Sequence, residues 1–333
     1  MTKPLLATYV INKSIPMLST DDIRRLDVIY FAFVRVDGKN SDISGLTNIN
    51  RMSEIRQINP NIKIILSAAS GTKGGFAAAV QNEETLKLCV KNLVSLVKEY
   101  DFDGLDIDWE FPSNDIERHG HTILLKEIRH QLDLAENSKH LQLSIAAGSK
   151  QWYFEITELS NSIQHLDYVN LMTYDVNAKN YYTVHHTCTY PMKTDKEYQG
   201  SVKENVDVFV KNGVPAEKLI VGAAFYSRQW ENVKNENNGL FAFAGEASIY
   251  GPNITQLKRD YINKNGYVRY WDDAAKAPYL FNGNNFITYD DDESLIHKCR
   301  YVKSAEIAGI MIWEYGCDEE HTLVKIMRDA IDN

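Results

Sequence analysis

The sequence lacks the features that mark several common protein classes. Its four cysteines lie far apart and form no Cys-x-x-Cys pair, so neither a zinc ribbon nor a small disulfide-rich fold is indicated. No apolar run reaches the roughly 18 residues that a membrane-spanning helix needs, so none is predicted. Basic residues are fewer than acidic ones, 36 against 45, and the net charge of −9 argues against binding to nucleic acid. A neutral polymer is not excluded as a partner.

Three further absences bear on location, metal binding and fold. The first ten residues, MTKPLLATYV, lack the long apolar run of a signal peptide. We therefore expect either a secreted protein whose signal has been removed or a cytoplasmic one. The cluster His185-His186-x-Cys188 has no second ligand pair, so a polar loop is a better interpretation than a metal site. No Gly-x-Gly-x-x-Gly motif follows the first predicted strand, which disfavours an open dinucleotide-binding sheet.

Short β-rich segments recur eight times along the chain, and helical patterns lie between most of them. The pattern is clearest in residues 84–100, where Leu86, Val90, Leu93 and Val97 recur every three or four positions, and it predicts a second helix at residues 123–135. Strands that alternate with helices imply parallel pairing, because parallel neighbours need a crossover connection. Eight such units favour a closed (β/α)8 TIM barrel over a doubly wound sheet. The predicted strands are 5–10, 28–34, 63–69, 104–109, 141–147, 168–174, 219–225 and 308–313.

The segment between the seventh and eighth predicted strands is longer than a simple connection requires. We predict a barrel made of residues 1–228 and 290–333, with a small α+β insertion domain at residues 229–289. The aromatic face of this insertion is expected to form one wall of a cleft. A helix at 292–303 then leads to the last strand, and the run Asp290-Asp291-Asp292 predicts a solvated turn and helix N-cap. The insertion carries, among its aromatic residues, Tyr250, Tyr261, Tyr267, Tyr270, Trp271 and Tyr279.

A row of acids stands out in residues 102–112, which read FDGLDIDWEFP. Asp106, Asp108 and Glu110 alternate with apolar residues, so the three carboxylates share one face of a strand. Neighbouring members of the row are roughly 6.6 Å apart along the strand. Like charges this close cannot all stay ionised, so at least one pKa should be raised. A carboxylic acid with a raised pKa is what a general acid requires.

Two simpler interpretations of the acid row fit less well. A solvated edge strand is disfavoured because Leu105, Ile107 and Trp109 make the other face apolar enough for a core. A calcium loop needs Gly at its sixth position, but a loop that starts at Asp106 has Phe111 there. The catalytic interpretation is therefore favoured.

The same residues carry a family resemblance. The pattern Asp103-x-x-Asp106-x-Asp108-x-Glu110 resembles the DxxDxDxE signature of family 18 glycoside hydrolases, the chitinases and their relatives. The resemblance extends along nearly the whole chain and implies a (β/α)8 barrel with this segment as the fourth strand. Asp103 is out of phase with the other acids and is predicted to be structural. Further positions that fit the signature are Gly104, Trp109 and Pro112.

Other segments resemble family motifs at the carboxyl ends of strands, where barrel active sites lie. The segment YVNLMTYD at 168–175 is similar to the sixth-strand motif, and AAFYSR at 223–228 to the seventh-strand FYGR motif, with Ser227 in place of Gly. The third strand departs from the family: it reads Ser67-Ala-Ala-Ser70-Gly71 instead of Ser-x-Gly-Gly followed by Trp. Affinity for long crystalline chitin therefore does not follow from the resemblance. The substrate-binding residues it implies are Tyr9, Phe33, Met172, Asp175, Tyr226, Arg228 and Trp313.

The resemblance implies a retaining, substrate-assisted mechanism in which the substrate's own 2-acetamido oxygen attacks the anomeric carbon. The residues agree with it, because Asp108 and Glu110 project from one strand in the same direction and cannot readily flank a sugar. Glu110 is then the general acid and later the general base, and Asp108 orients the acetamido group. Asp106 shares a proton or hydrogen bond with Asp108, and Tyr174 binds the acetamido carbonyl. No metal or organic cofactor is required.

These features together predict a chitinase, endo-acting, on β-1,4-linked N-acetylglucosamine oligomers or polymers. Its partner is an N-acetylglucosamine-containing oligo- or polysaccharide rather than nucleic acid or a membrane, and we expect a monomer. Two other enzymes would use the same acids, an endo-β-N-acetylglucosaminidase acting on N-glycans and a peptidoglycan hydrolase. A chitin-binding lectin on the same barrel is a further alternative, but such proteins typically lose the acid that corresponds to Glu110.

Overall fold

The structure, a computed structural model, describes residues 3–135, 139–194 and 200–333. None of the helices in these ranges is both long and apolar enough to cross a membrane. The strands are β1 Leu5–Ile11, β2 Val28–Asp37, β3 Asn40–Asp42, β4 Lys63–Ser70, β5 Gly104–Asp108, β6 Gln142–Ala147, β7 Tyr168–Leu171, β8 Leu219–Ala224, β9 Tyr226–Trp230, β10 Ile249–Asn253, β11 Val268–Asp272, β12 Ala277–Phe281, β13 Phe286–Thr288 and β14 Gly309–Trp313. The α-helices are α1 Thr20–Arg25, α2 Met52–Ile58, α3 Gly75–Ala79, α4 Glu83–Glu99, α5 Asp115–Ala135, α6 Trp152–Ile156, α7 Leu159–Ser162, α8 Val202–Lys211, α9 Ile254–Gln256, α10 Asp292–Ser304 and α11 Leu323–Asp332.

Eight parallel strands form a closed barrel in the order β1, β2, β4, β5, β6, β7, β8 and β14, with β14 paired to β1. This confirms the predicted (β/α)8 barrel, and each predicted strand has its counterpart. Two strands differ by three residues from the prediction: β2 ends at Asp37 instead of residue 34, and β7 ends at Leu171 instead of residue 174. The end of β7 bears on the position of Tyr174. The chain turns there because the Thr173 amide donates to the Leu171 carbonyl at 2.8 Å, and the Thr173 hydroxyl donates to the Gly222 carbonyl at 2.9 Å.

The alternation along β5 separates two environments. Leu105, Ile107 and Trp109 point outward and join the apolar layer between the barrel and its helices. Asp106 and Asp108 point into the barrel, whose interior holds a separate and smaller apolar cluster. The inward face of β5 therefore places carboxylates in a setting that is largely apolar and aromatic.

The surrounding helices follow the predicted spacing. In α4 every predicted core position is buried, and Asn82 caps the helix by accepting the Thr85 amide at 2.9 Å. Helix α5 begins at Asp115, ahead of the predicted start at residue 123. The earlier start has a local cause: the Asn114 side chain accepts the Glu117 amide at 3.0 Å, which satisfies a free N–H of the first turn.

A second, antiparallel sheet stands between β8 and β14, with its strands in the order β10, β9, β13, β12 and β11. Its first strand begins at Tyr226, ahead of the predicted boundary at residue 229. The apolar cluster against this sheet also includes Val184 and Cys188 from the β7–α8 connection. The division into a barrel and a separate insertion domain stays a prediction.

One expectation near this sheet is wrong. The run at Asp290 was expected to be a solvated turn, but Asp290 and Asp291 are both buried. Asp291 is the N-cap of α10, as predicted. The Asp290 carboxylate lies 2.5 Å from the ammonium of the fully buried Lys298, and this partner explains why a charged side chain can be buried there.

Candidate active site

The first acid of the row, Asp106, lies at the centre of a hydrogen-bond network inside the barrel. It is fully buried, and its two carboxylate oxygens accept four hydrogen bonds. Burial raises its pKa, and the four donors oppose this rise by stabilising the charged form. These donors are the Tyr9 hydroxyl at 2.9 Å, the Ser67 hydroxyl at 2.7 Å, the Ser144 hydroxyl at 2.6 Å and the Asn170 amide at 3.3 Å.

The second acid, Asp108, has a very different environment. Its Oδ1 atom is buried and has no hydrogen-bond partner among the described residues. Burial raises the pKa of Asp108 well above its usual range, and the nearby charges of Glu110 and Asp106 raise it further. Asp108 therefore holds its proton more tightly than an ordinary aspartate does.

The third acid, Glu110, follows the end of β5 and is exposed to the open cleft. Partial burial of its carboxyl group raises its pKa, and the negative charge of Asp175 raises it further. The predicted rise in pKa therefore occurs at all three acids of the row. A group that is reachable from solvent and holds its proton more tightly than usual is suited to general acid catalysis.

Most of the predicted site residues meet around one cavity at the carboxyl end of the barrel. Its volume is about 420 Å³, enough for a small part of an oligosaccharide. The residues that line it come from strands that are distant in the sequence, from β1 to β14. The closed barrel brings these strands together. The predicted residues that line this cavity are Tyr9, Asp108, Glu110, Met172, Tyr174, Asp175, Tyr226 and Trp313.

Three predicted residues lie behind the lining. Asp106 is beneath the cavity floor in the network described above. Phe33 packs against Trp313, with 5.8 Å between the ring centroids. The Arg228 Nε donates to Asp175 Oδ1 at 2.7 Å, and its guanidinium lies over the Tyr250 ring, 3.7 Å from the centroid.

Asp175 connects the barrel to the second sheet. Burial alone would raise its pKa, but hydrogen bonds and charges from His186 and Arg228 hold the pKa well below its usual range. His186 Nδ1 lies 3.3 Å from Asp175 Oδ1, and the Tyr250 hydroxyl donates to Oδ2 at 3.4 Å. Asp175 is therefore a charged, paired carboxylate, unlike the acids of the row.

Of the aromatic residues in the 229–289 segment, which were expected to form one wall of the cleft, only one lines the cavity. Tyr250 lines the cavity. The other aromatic residues of the segment do not line it, and several of them pack into apolar clusters instead, as Tyr279 does in the core of the second sheet. The sequence could not separate them, because all of these residues are aromatic.

Besides Tyr250, eight residues that line the cavity are not among the predicted site residues: Phe111, Ala146, Gly148, Ser149, Lys150, Trp152, Val176 and Met311. Lys150 and Trp152 come shortly after the carboxyl end of β6. The rule that barrel sites lie at the carboxyl ends of strands could therefore have found them. Phe111 lies directly after Glu110, and its ring centroid is 5.1 Å from that of Trp152.

His185 and His186 are both buried, and each lies within hydrogen-bond distance of an aspartate. His185 Nε2 is 3.3 Å from Asp272 Oδ2, and His186 is bound to Asp175. Within the described ranges, no group of three or more His, Cys, Asp or Glu side chains is arranged to hold a metal ion. All four cysteines are free thiols.

Comparison with known proteins places this site in context. Chitinase A1 of Niallia circulans is 34% identical over 306 residues, covering 83% of this chain and 43% of the relative. This chain thus spans less than half the length of that relative. Chitinase B of Serratia marcescens is 26% identical over 387 residues, covering 94% of this chain and 77% of the relative.

A solved structure is similar over both chains in full. The family 18 N-acetylglucosaminidase from Paenibacillus barengoltzii is 39% identical and superposes with a TM-score of 0.94, covering 98% of this chain and 99% of that one. The family model described as "Glycosyl hydrolases family 18" matches residues 6–318. This range contains the whole acid row and every cavity residue named above. The chain belongs to family 18 of the glycosyl hydrolases.

Proposed function

We propose that this protein hydrolyses β-1,4-linked N-acetylglucosamine polymers or oligomers with retention of configuration, and that Glu110 is the general acid and base. One observation carries the proposal: Asp108, Glu110 and Tyr174 line a single cavity with the Trp313 ring. The chitinases among the relatives of this chain support the same substrate class.

In the first step, Glu110 donates its proton to the oxygen that joins the two sugars. The 2-acetamido oxygen of the substrate attacks the anomeric carbon from the other face, and the leaving sugar departs. Glu110 then takes a proton from a water molecule, which opens the cyclic oxazolinium intermediate. Two successive inversions at the anomeric carbon leave its configuration unchanged.

Asp108 is assigned to the acetamido N–H. Asp108 lines the cavity, and its carboxylate would stabilise the positive charge of the intermediate. Four donors hold the Asp106 carboxylate in place. Its position relative to Asp108 is therefore fixed. Tyr174 is assigned to the acetamido carbonyl because its hydroxyl has only a weak contact to Met311 Sδ, at 4.0 Å.

A carboxylate nucleophile from the protein is the competing mechanism, and Asp175 is the cavity residue that could supply it. Its negative charge is already neutralised by Arg228 at 2.7 Å, and its Oδ1 is shared with His186. A carboxylate held in this way is a weak nucleophile. We assign Asp175 and Arg228 to binding of the substrate hydroxyl or acetamido groups.

A second candidate is an enzyme that removes single N-acetylglucosamine units from a chain end. No lining residue of the cavity comes from β2 or β4 within the described ranges. On that side Phe33 packs against Trp313, and the Arg35 guanidinium lies 4.9 Å from the Phe33 ring centroid. This candidate is supported by the family 18 N-acetylglucosaminidase from Paenibacillus barengoltzii, which is 39% identical to this chain.

Product analysis separates these candidates. The protein is incubated with chitotetraose labelled at its reducing end, and products are followed from the earliest time points. Early disaccharides indicate internal cleavage, whereas stepwise release of single sugars indicates action at a chain end. Parallel incubations with N-glycoprotein and peptidoglycan test the other two substrates. Binding without turnover over a broad pH range would indicate a lectin and contradict the proposal.

A further inference from the structure

The adjacent histidines His185 and His186 have no part in the proposed mechanism. Both side chains are fully buried, in the connection between β7 and α8. His186 Nδ1 lies 3.3 Å from Asp175 Oδ1, and His185 Nε2 lies 3.3 Å from Asp272 Oδ2. Asp175 lines the cavity, whereas Asp272 is the last residue of β11 in the second sheet. Two neighbouring rings therefore bind two carboxylates, and the one bound by His186 belongs to the active site.

The segment that carries His186 lies directly behind the turn that carries Asp175. The His186 carbonyl accepts the Val176 amide at 3.3 Å. The next residue, Thr187, is also fully buried, and its hydroxyl donates to the Thr173 carbonyl at 2.9 Å. The two segments are thus held together on both sides of Asp175, and the ring of His186 has a fixed position relative to that carboxylate.

Asp175 also binds two groups of the second sheet. Arg228 of β9 donates to Oδ1 at 2.7 Å, and the hydroxyl of Tyr250, from β10, donates to Oδ2 at 3.4 Å. Tyr250 is 69% exposed, so this contact is open to solvent, whereas His186 approaches Asp175 from the protein interior. A carboxylate that is bound from opposite sides keeps one orientation, which a residue that binds substrate requires.

The contact between His186 and Asp175 is attractive when the ring proton is on Nδ1. With the proton on Nε2, a nitrogen lone pair would face the carboxylate oxygen at 3.3 Å. The Nε2–H would then be buried, and none of the described residues lies within hydrogen-bond distance of it. That tautomer would let Nδ1 accept the Asp175 amide at 3.4 Å, but at the cost of both unfavourable contacts. The tautomer with Nδ1–H therefore fits the site better.

A neutral ring preserves the charge of the carboxylate that it binds. Burial lowers the pKa of His186, and the hydrogen bond and charge of Asp175 oppose this change without reversing it. The other charged groups that act on the ring, Asp290 and Lys298, form an ion pair at 2.5 Å. The negative charge of Asp175 is retained, and it adds to the effect of burial in raising the pKa of Glu110.

We infer that His186 is a positioning residue of the active site, whose Nδ1–H holds the Asp175 carboxylate in the orientation that faces the substrate. This inference rests on the proposed function, because Asp175 is assigned there to binding of the substrate. His185 is equally buried, but its partner Asp272 does not line the cavity. The role of His185 is therefore in the fold.

Two amide substitutions at position 186 test which ring nitrogen matters. His186→Asn places an amide N–H near the position of Nδ1, and His186→Gln places it near that of Nε2. On chitotetraose, His186→Asn should keep kcat/KM within about threefold of wild type, because the donor to Asp175 is restored. His186→Gln should lose about ten- to a hundredfold, as for one hydrogen bond to a charged group. Equal kcat/KM values for the two variants would overturn the inference.

His185→Leu is the matched control for His186→Leu. Each variant removes a fully buried imidazole that has one aspartate partner, so both should unfold at lower denaturant concentration than wild type. Folded His185→Leu should keep kcat/KM within about twofold, whereas His186→Leu should lose as much as His186→Gln. Equal losses of activity in the two leucine variants would show that His186 has a structural role only.

A double-mutant cycle with Asp175→Asn tests whether His186 acts through this carboxylate. In the Asp175→Asn protein, adding His186→Leu should lower kcat/KM by less than about twofold. A further loss as large as in the wild-type background would contradict the inference. If His186→Leu does not fold, the same cycle is run with His186→Gln.

The tautomer is measured without turnover, by a long-range 1H–15N NMR spectrum in which the His186 signals are those absent from His186→Asn. We expect the proton on Nδ1, and a proton on Nε2 would overturn the inference. Failure of folded wild-type protein to cleave chitotetraose would instead refute the proposed function. In that case the spectrum still decides whether His186 donates to Asp175.

Discussion

Two aspartates of the β5 segment, Asp103 and Asp108, have opposite environments. Asp103 lies 3.0 Å from Arg56 and 3.3 Å from Lys139, and its Oδ2 accepts the Ile64 amide at 2.9 Å. Asp108, at the other end of the strand, has a buried Oδ1 to which none of the described residues donates a hydrogen bond. One carboxylate is satisfied by the protein, and the other has capacity left for a ligand.

Under the proposed function, the same side chain serves the fold at one end of the barrel and the chemistry at the other. A buried carboxylate that is paired with cations stabilises the native state only while its partners remain. A buried carboxylate without partners costs stability, and such a cost is typical of functional sites. The predictions below separate the two roles by measuring activity and stability together.

The largest effect is expected for Glu110→Gln, at the catalytic end. The amide keeps the shape but cannot donate a proton, so kcat should fall about 10²–10⁴-fold. Oligosaccharide affinity should persist in calorimetry. Glu99→Gln, an exposed acid at the end of α4, is the control. More than a tenth of wild-type activity in Glu110→Gln would remove this residue from its assigned role.

Asp108→Asn should lower kcat by about 10²–10³-fold, because the charge that stabilises the intermediate is lost. The free energy of unfolding should stay equal or rise, since one oxygen of the carboxylate that is removed, Oδ1, is buried with no partner among the described residues. Chemical denaturation and the reducing-end assay measure the two quantities on the same preparation. A clear loss of stability would show that Asp108 is a structural residue like Asp103.

Asp103→Asn should give the reverse pattern. The contacts to Arg56 and Lys139 are weakened, so we expect a loss of about 1–3 kcal/mol in the free energy of unfolding. Activity of the folded variant should stay within about twofold of wild type. Asp101→Asn removes an exposed partner of Lys139 and should cost at most about 1 kcal/mol. A large loss of activity in folded Asp103→Asn would break the comparison.

The smallest effect is a pH dependence. The folded state holds the Asp108 proton more tightly than the unfolded chain does, because burial raises this pKa. The cost of the ionised carboxylate is absent below the unfolded pKa of about 3.9 and grows as pH rises toward the folded value. The stability gain of Asp108→Asn over wild type should therefore increase from pH 3.5 to 7. A gain that decreases over this range would contradict the burial of an unpaired charge.

The sequence was sufficient for the barrel because each strand carries its own signal. Alternation in β5, the apolar spacing in α4 and the aromatic or acidic residues at strand ends are all local patterns. The strand-end rule placed Tyr174 and Trp313 at one cavity, although they are far apart in the chain. These features depend on secondary structure and topology alone.

Pairings that depend on register or on loop conformation could not be predicted. Ser67, Ser144 and Asn170 bind Asp106 only because β4, β6 and β7 align at that level of the barrel. The burial of Asp290 depends on its ion pair with Lys298, about two turns further along the chain. The eight-residue spacing between the two does not by itself predict an ion pair. Lys150 is the opposite case, because its position shortly after the carboxyl end of β6 follows the strand-end rule.

The central claim is that the substrate supplies its own nucleophile, and matched oligosaccharides test it most directly. Chitosan oligomers of defined sequence are offered with either a 2-acetamido or a free 2-amino group on the sugar before the scissile bond, and cello-oligosaccharides supply a 2-hydroxyl. The products are sequenced to locate each cleavage. We predict rapid cleavage only after an acetamido sugar, with inhibition by a stable thiazoline analogue of the intermediate. Comparable rates after a non-acetylated sugar would contradict the mechanism and the roles of Asp108 and Tyr174.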